Sequence, residues 1–251
     1  MLKRRIIPVQ LLVDGRLVKT RQFGAYRDVG DPVASSRVYS AQNADELVFL
    51  NIHRTSRTID PLLPLLERVS EVCFMPLALG GGVASLKDAE ILIRHGADKV
   101  VVNSVLYREP GLARAIADKF GSQAVVASID VRREGDDWAL FSDCGRRREP
   151  ITLLDHVARL IEEGAGEILL NSIDRDGTMS GYDVPLIKRV VAASSIPIIA
   201  CGGAGDYEHM REAFIDAGAQ ELACGSLFNF GDNNPIRAKA HLTTYGLPFK
   251  V

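Results

Sequence analysis

The sequence predicts a single α/β domain over residues 1–251, a closed (β/α)8 barrel (TIM barrel) built from two half-barrel repeats, with its functional face at the C-terminal ends of the strands. Three observations carry this. Eight short runs rich in β-branched residues are apolar along most of their length, as strands covered on both faces of a parallel sheet are. Helix-length segments with 3.6-residue periodicity separate them, and eight strand–helix units in 251 residues favour a closed barrel over an open doubly wound sheet. The chain also repeats itself at about half its length, which fits two fused half-barrels.

In chain order the expected strands are Arg5–Leu11, Glu46–Asn51, Met75–Gly80, Lys99–Asn103, Ala124–Asp130, Glu167–Asn171, Ile196–Cys201 and Glu221–Gly225. Clear helical periodicity falls over Leu86–His95, Ile151–Glu163, Val184–Ala193 and His209–Ala217. The repeat aligns the stretch from Pro76 with that from Pro197, and the stretch from Glu46 with that from Glu167. The segment 14–31 reads as a loop, and so does Arg146–Pro150, whose three arginines fit a solvated loop or an anionic partner.

Composition narrows the function classes. With 47% hydrophobic residues, 25% charged residues and a net charge of −2, nothing points to nucleic acid or to a membrane surface. Cys73, Cys144, Cys201 and Cys224 show no metal-ligand spacing, so no zinc or other metal site is expected. No signal peptide or membrane span is legible, and free thiols in a cytoplasmic setting are the sensible reading. No dinucleotide fingerprint or P-loop lysine implies a cofactor.

In a barrel of this kind chemistry sits where strands end. Gly81 and Gly82 follow the third strand, with Asn103 and Ser104 after the fourth; Gly202 and Gly203 follow the seventh, with Gly225 and Ser226 after the eighth. Such glycines can simply make tight turns. Two copies at equivalent barrel positions point instead to two phosphate cups, built from backbone N–H groups that a Cβ would keep at a distance. Asp130 closes the fifth strand as a proton carrier. Asp174 and Asp176, further acid–base candidates with Asp176 expected as catalytic, lie in the Gly/Asp/Ser-rich loop after the sixth, with Gly177 and, at the strand end, Asn171. Lys19, in the 14–31 loop with Gly24 and Gly30, is expected to reach over a phosphate when that loop closes. Arg5, Glu46, Lys99 and Glu167 stand at four strand entrances, as two cations and two anions that can pair around the axis.

The stretches DELVFL, LGGGV, HGADKVVVNS, FGSQAVVASID, GAGEILLNSIDRDGTMSGYD, IPIIACGGAG and SLF are long and specific. Over nearly its whole length the chain resembles the cyclase subunit of imidazole glycerol phosphate synthase, HisF. The resemblance implies a HisH-like glutaminase docked at the N-terminal barrel face, near Asp98, and an ammonia gate on Arg5, Glu46, Lys99 and Glu167. It also implies a phosphorylated ligand on the glycine sets.

The departures sharpen this. The family pattern has a catalytic aspartate at the end of the first strand as well as the fifth; the fifth is Asp130, but the first falls at Leu11, which carries no proton. Gln10 is adjacent but turned to the other face. Asn51, Asn171, Gly225 and the segment Arg146–Pro150 also differ from the usual pattern. The combination resembles a HisF-like branch associated with acetamidino modification of surface-polysaccharide sugars. There a HisF-like and a HisH-like subunit supply ammonia to a third, ATP-using amidotransferase acting on a nucleotide-linked sugar. The alternatives are the histidine-pathway cyclase itself and a non-catalytic ligand sensor that activates the glutaminase. A HisA-type sugar isomerase is disfavoured, because it also needs the strand-one acid.

Overall fold

The computed structural model describes residues 3–250; Met1, Leu2 and Val251, the ends of the expected 1–251 unit, lie outside the described residues. In chain order the strands are β1 (Arg5–Val13), β2 (Arg16–Thr20), β3 (Tyr26–Gly30), β4 (Leu47–Asn51), β5 (Leu77–Gly80), β6 (Lys99–Val102), β7 (Val125–Glu134), β8 (Asp137–Ser142), β9 (Arg147–Thr152), β10 (Glu167–Ser172), β11 (Ile198–Cys201) and β12 (Glu221–Cys224). Eight of them, β1, β4, β5, β6, β7, β10, β11 and β12, pair in parallel in that order, and β12 returns to β1 to close the barrel.

Strand alternation divides the apolar residues into two cores. One face packs outward against the helices, with Phe49, Leu79, Ile129 and Leu170 fully or almost fully buried there. The other fills the barrel with Ile7, Val9, Val48, Ala78, Val101, Val126, Leu169, Ile199 and Ala223. Several of the helices start from side-chain caps at the C-terminal face. Ser85 accepts from the Asp88 N–H ahead of Leu86–Arg94, whose buried Ala89 and Leu92 face the sheet; Thr152 caps Leu153–Glu162 and Asp183 caps Val184–Ala193 in the same way.

Four expectations are corrected. The first and fifth barrel strands run past Leu11 and Asp130, to Val13 and Glu134, because each continues into an antiparallel hairpin: β1 pairs β2, which pairs β3, and β7 pairs β8, which pairs β9. The segment 14–31 is therefore largely hairpin rather than a free loop, and Lys19 stands on β2. The basic segment expected as a loop supplies β9, where Arg148 pairs with Glu134 and Arg147 with Glu149. The helix expected over His209–Ala217 is α-helical only over Tyr207–Arg211 and widens to a π-turn over Glu212–Asp216. Among the described residues no helix is long and apolar enough to cross a membrane.

Candidate functional site

At the N-terminal mouth of the barrel the four charged strand-entrance residues do pair. Arg5 bonds Glu46 at 2.5 Å and also Glu167, while Lys99 reaches Glu46 at 2.6 Å and Glu167 at 2.7 Å. A fifth residue, Glu221, joins them by bonding Arg5. Burial pushes the Glu46 carboxyl up against the pull of Lys99 and Arg5. Burial and then the Glu167 charge push Glu221 up to about 7. The sequence reading missed Glu221, although the internal repeat aligns its strand entrance with that of Lys99. Asp98 is exposed on the same face, where its carboxylate accepts from the Leu77 N–H at 2.8 Å.

At the opposite end lies a cavity of about 410 Å³. Apart from Asp174, the residues expected at the C-terminal face line it: Leu11, Lys19, Gly81, Gly82, Asn103, Ser104, Asp130, Asn171, Asp176, Gly177, Gly202, Gly203, Gly225 and Ser226. The two glycine pairs occupy equivalent corners. A Cβ on Gly82 would lie 2.4 Å from the Thr58 backbone, and one on Gly203 would lie 2.1 Å from the Gly181 carbonyl oxygen; both have positive φ. These glycines let their loops pack closely against the neighbouring ones that carry Thr58 and Gly181, and both pairs line the cavity.

Asp130 is buried and accepts from Asn103 Nδ2 at 2.8 Å. Burial pushes its carboxyl up to about 7; the Asn103 hydrogen bond opposes that shift and the Asp176 charge adds to it. Asp176 accepts from Thr20 Oγ1 at 2.7 Å and from the Phe23 N–H at 3.3 Å, which ties the loop after β10 to the β2–β3 hairpin. Its own carboxyl is pushed up by burial. Lys19 is buried rather than overhanging, a correction to the closing-loop expectation. Its ammonium donates to the Val9 carbonyl at 2.6 Å and would lie 2.5 Å from a Cβ at residue 225, so Gly225 makes room for it. Burial lowers its pKa to about 8, against the pull of Asp176.

Some expected roles move. Asp174 is a brace, accepting from the Arg133 N–H at 2.7 Å, and does not line the cavity. Ser104 Oγ accepts from the Asp143 N–H at 3.0 Å, so the hydroxyl holds a loop. Gln10 turns outward and donates to Ser35 at 2.7 Å, as strand alternation requires; Leu11 faces the cavity. Three arginines the sequence reading did not single out also line it: Arg54, Arg57 and Arg108. Arg57 and Arg108 share Asp143 at 2.5 and 2.7 Å. They come from two different loops, so only the fold brings them together.

The chain is thus a duplicated (β/α)8 barrel with a charged ring at one mouth and a cavity ringed by paired glycines at the other. The chain belongs to the histidine biosynthesis protein family, whose model matches residues 5–234. It is 46% identical over 251 residues to the imidazole glycerol phosphate synthase subunit HisF of Hyphomonas neptunium, with both chains covered in full. It is 44% identical over 253 residues to the HisF subunit of Caulobacter vibrioides, covering all of this chain and 97% of that one. These names support the histidine-pathway expectation over the polysaccharide branch.

Proposed function

We propose that this chain is the ammonia-accepting subunit of a glutamine-dependent synthase of the imidazole glycerol phosphate synthase type. The observation that carries the reading is the ordered interior: a charged ring, then an apolar barrel, then a cavity with a protonatable carboxylate. A HisH-like glutaminase docks on the N-terminal face around Asp98, and ammonia passes Arg5, Glu46, Lys99 and Glu167. The apolar interior admits neutral ammonia and disfavours ammonium, because an unpaired charge there carries a desolvation cost of several kcal/mol, order of magnitude. At the far end one phosphate of the ligand sits at Gly81, Gly82, Asn103 and Ser104. A second sits at Gly177, Gly202, Gly203, Gly225 and Ser226. Asp130, with a pKa pushed up to about 7, suits proton transfer at neutral pH, and Lys19 supplies positive charge beside it.

Two acceptors follow from this reading. The relatives' names support cyclisation in histidine biosynthesis, with Asp130 and water or substrate groups sharing the proton transfers. One observation favours the second, amidation of a nucleotide-linked surface-polysaccharide sugar with a third, ATP-using subunit: Leu11 occupies the place of the strand-one acid. Ammonium-driven turnover of the phosphoribulosyl formimino intermediate separates them. Turnover by the wild-type chain supports the histidine reading. An inert wild type with gain in Leu11→Asp means that only the strand-one acid has been lost. If both are inert, the pocket serves another ligand, and sugar nucleotides are tested next.

A further inference from the structure

The ring at the N-terminal mouth does not balance. Arg5 and Lys99 contribute two positive charges, and Glu46, Glu167 and Glu221 three negative ones, which leaves one carboxylate charge in excess. Two carboxylate oxygens in it, Glu46 Oε1 and Glu221 Oε2, are buried without a hydrogen-bond partner, on residues that are 0% and 6% exposed. Each of these carboxylates is ion-paired through its other oxygen, but a buried acceptor atom left without a donor is costly, so the arrangement calls for one more donor, and the excess negative charge favours a cationic one. The charged groups acting on Glu221 are Glu167 on β10, Arg5 on β1 and Lys99 on β6, and Arg5 links it to Glu46 at the entrance of β4; β11 places the apolar Ile199 beside it in register.

We propose that the ring is an ammonium-binding site in which Glu221 is the proton acceptor that turns ammonium into ammonia at the barrel entrance. The inference rests on the ammonia-conduction reading above and gives that path its entry chemistry. Ammonium donates hydrogen bonds to the free oxygens of Glu46 and Glu221. One N–H bond then breaks, with its electron pair staying on nitrogen, and the proton forms an O–H bond on Glu221. Neutral ammonia moves up past Ile7, Val48 and Ala78, while the Glu221 proton returns to solvent at the N-terminal face. The carboxyl, pushed up to about 7, can take and release a proton near neutrality. A four-donor cation matches the site better than a proton alone, because a proton satisfies one oxygen and leaves the other bare.

Thallium(I), a monovalent cation close to ammonium in size, is the probe. Crystals of the full chain soaked in thallium(I) acetate are expected to show an anomalous peak between Glu46 and Glu221 that ammonium chloride displaces. Glu221→Gln, which keeps an acceptor for Arg5, should weaken thallium(I) binding in solution by about tenfold or more. Wild-type affinity should rise as pH rises through about 7, when Glu221 loses the competing proton, and the Gln variant should be flat. No peak in the wild type, or a Glu221→Gln variant that binds equally, overturns the inference. If the peak is absent while Lys99→Ala still uncouples glutamine hydrolysis from ammonia use, only the inference falls and conduction stands. If the peak is present while Lys99→Ala leaves coupling intact, the cation site stands and the conduction reading falls.

Discussion

The two halves of the barrel share a scaffold and differ in chemistry. Each opens with a long strand that continues into a hairpin, β1–β2–β3 in the first half and β7–β8–β9 in the second, and each places a glycine pair after its third barrel strand. The strand register then sets equivalent residues in two matching rows: Leu11, Leu50 and Gly80 in the first half, Asp130, Asn171 and Cys201 in the second. One row is apolar or bare and the other can hydrogen-bond or move a proton. A duplicated fold thus keeps two similar glycine corners while concentrating titratable and hydrogen-bonding side chains on one side. Lys19 is the first half's contribution to that side, packed against Gly225 and under the influence of Asp176.

The largest expected effect breaks the symmetry test outright. Asp130→Asn should lower ammonia incorporation by about 10²–10⁴-fold, the span of a lost general acid–base, while Leu11→Ala at the matching place changes it only a few-fold. Equal losses would mean that the two rows act alike. Next comes stability against pH. Unfolding returns the Asp130 carboxyl to its ordinary value near ~4, so between that pH and about 7 the native state holds a proton the unfolded chain has lost. Its contribution is full below ~4 and is lost as pH rises through about 7. Asp130→Asn should therefore match wild type in urea unfolding near pH 4 and exceed it at pH 8, by a few kcal/mol. A variant no more stable at pH 8 contradicts the buried, proton-holding carboxyl.

Smaller effects sharpen the comparison. Gly82→Ala and Gly203→Ala each drive a Cβ against backbone and should each weaken a phosphorylated ligand by about tenfold, roughly 1.4 kcal/mol, in calorimetric titration. Loss at only one corner would make the ligand singly anchored. The smallest is Arg148→Ala, which removes an exposed pair with Glu134; it should move the melting free energy by less than about 1 kcal/mol, and a larger loss would assign β9 a structural role beyond its hairpin.

The barrel strands were legible because continuous β-branched runs have few other uses, and the glycine pairs because the repeat set them at equivalent strand ends. The hairpins were not. Asp14–Gly15 and Gly135–Asp136 are turn signals, but the strands that follow them, β2, β3, β8 and β9, are short and carry charges, so they read as loop. Lys19 was identified as a site residue with the wrong posture, since burial under β1 depends on a hairpin the loop reading excluded. Glu221 was legible in principle through its alignment with Lys99. Arg54, Arg57 and Arg108 were not, because two separate loops deliver them to one mouth.

The central claim is that one path joins the ring to the cavity, and the ratio of glutamine hydrolysed to ammonia incorporated tests it most directly. With the glutaminase partner and acceptor present, the wild-type chain should hold that ratio near one, and Lys99→Ala should raise it several-fold while ammonium chloride supplied from solution still supports turnover. A ratio unchanged in Lys99→Ala would contradict passage of ammonia through the barrel.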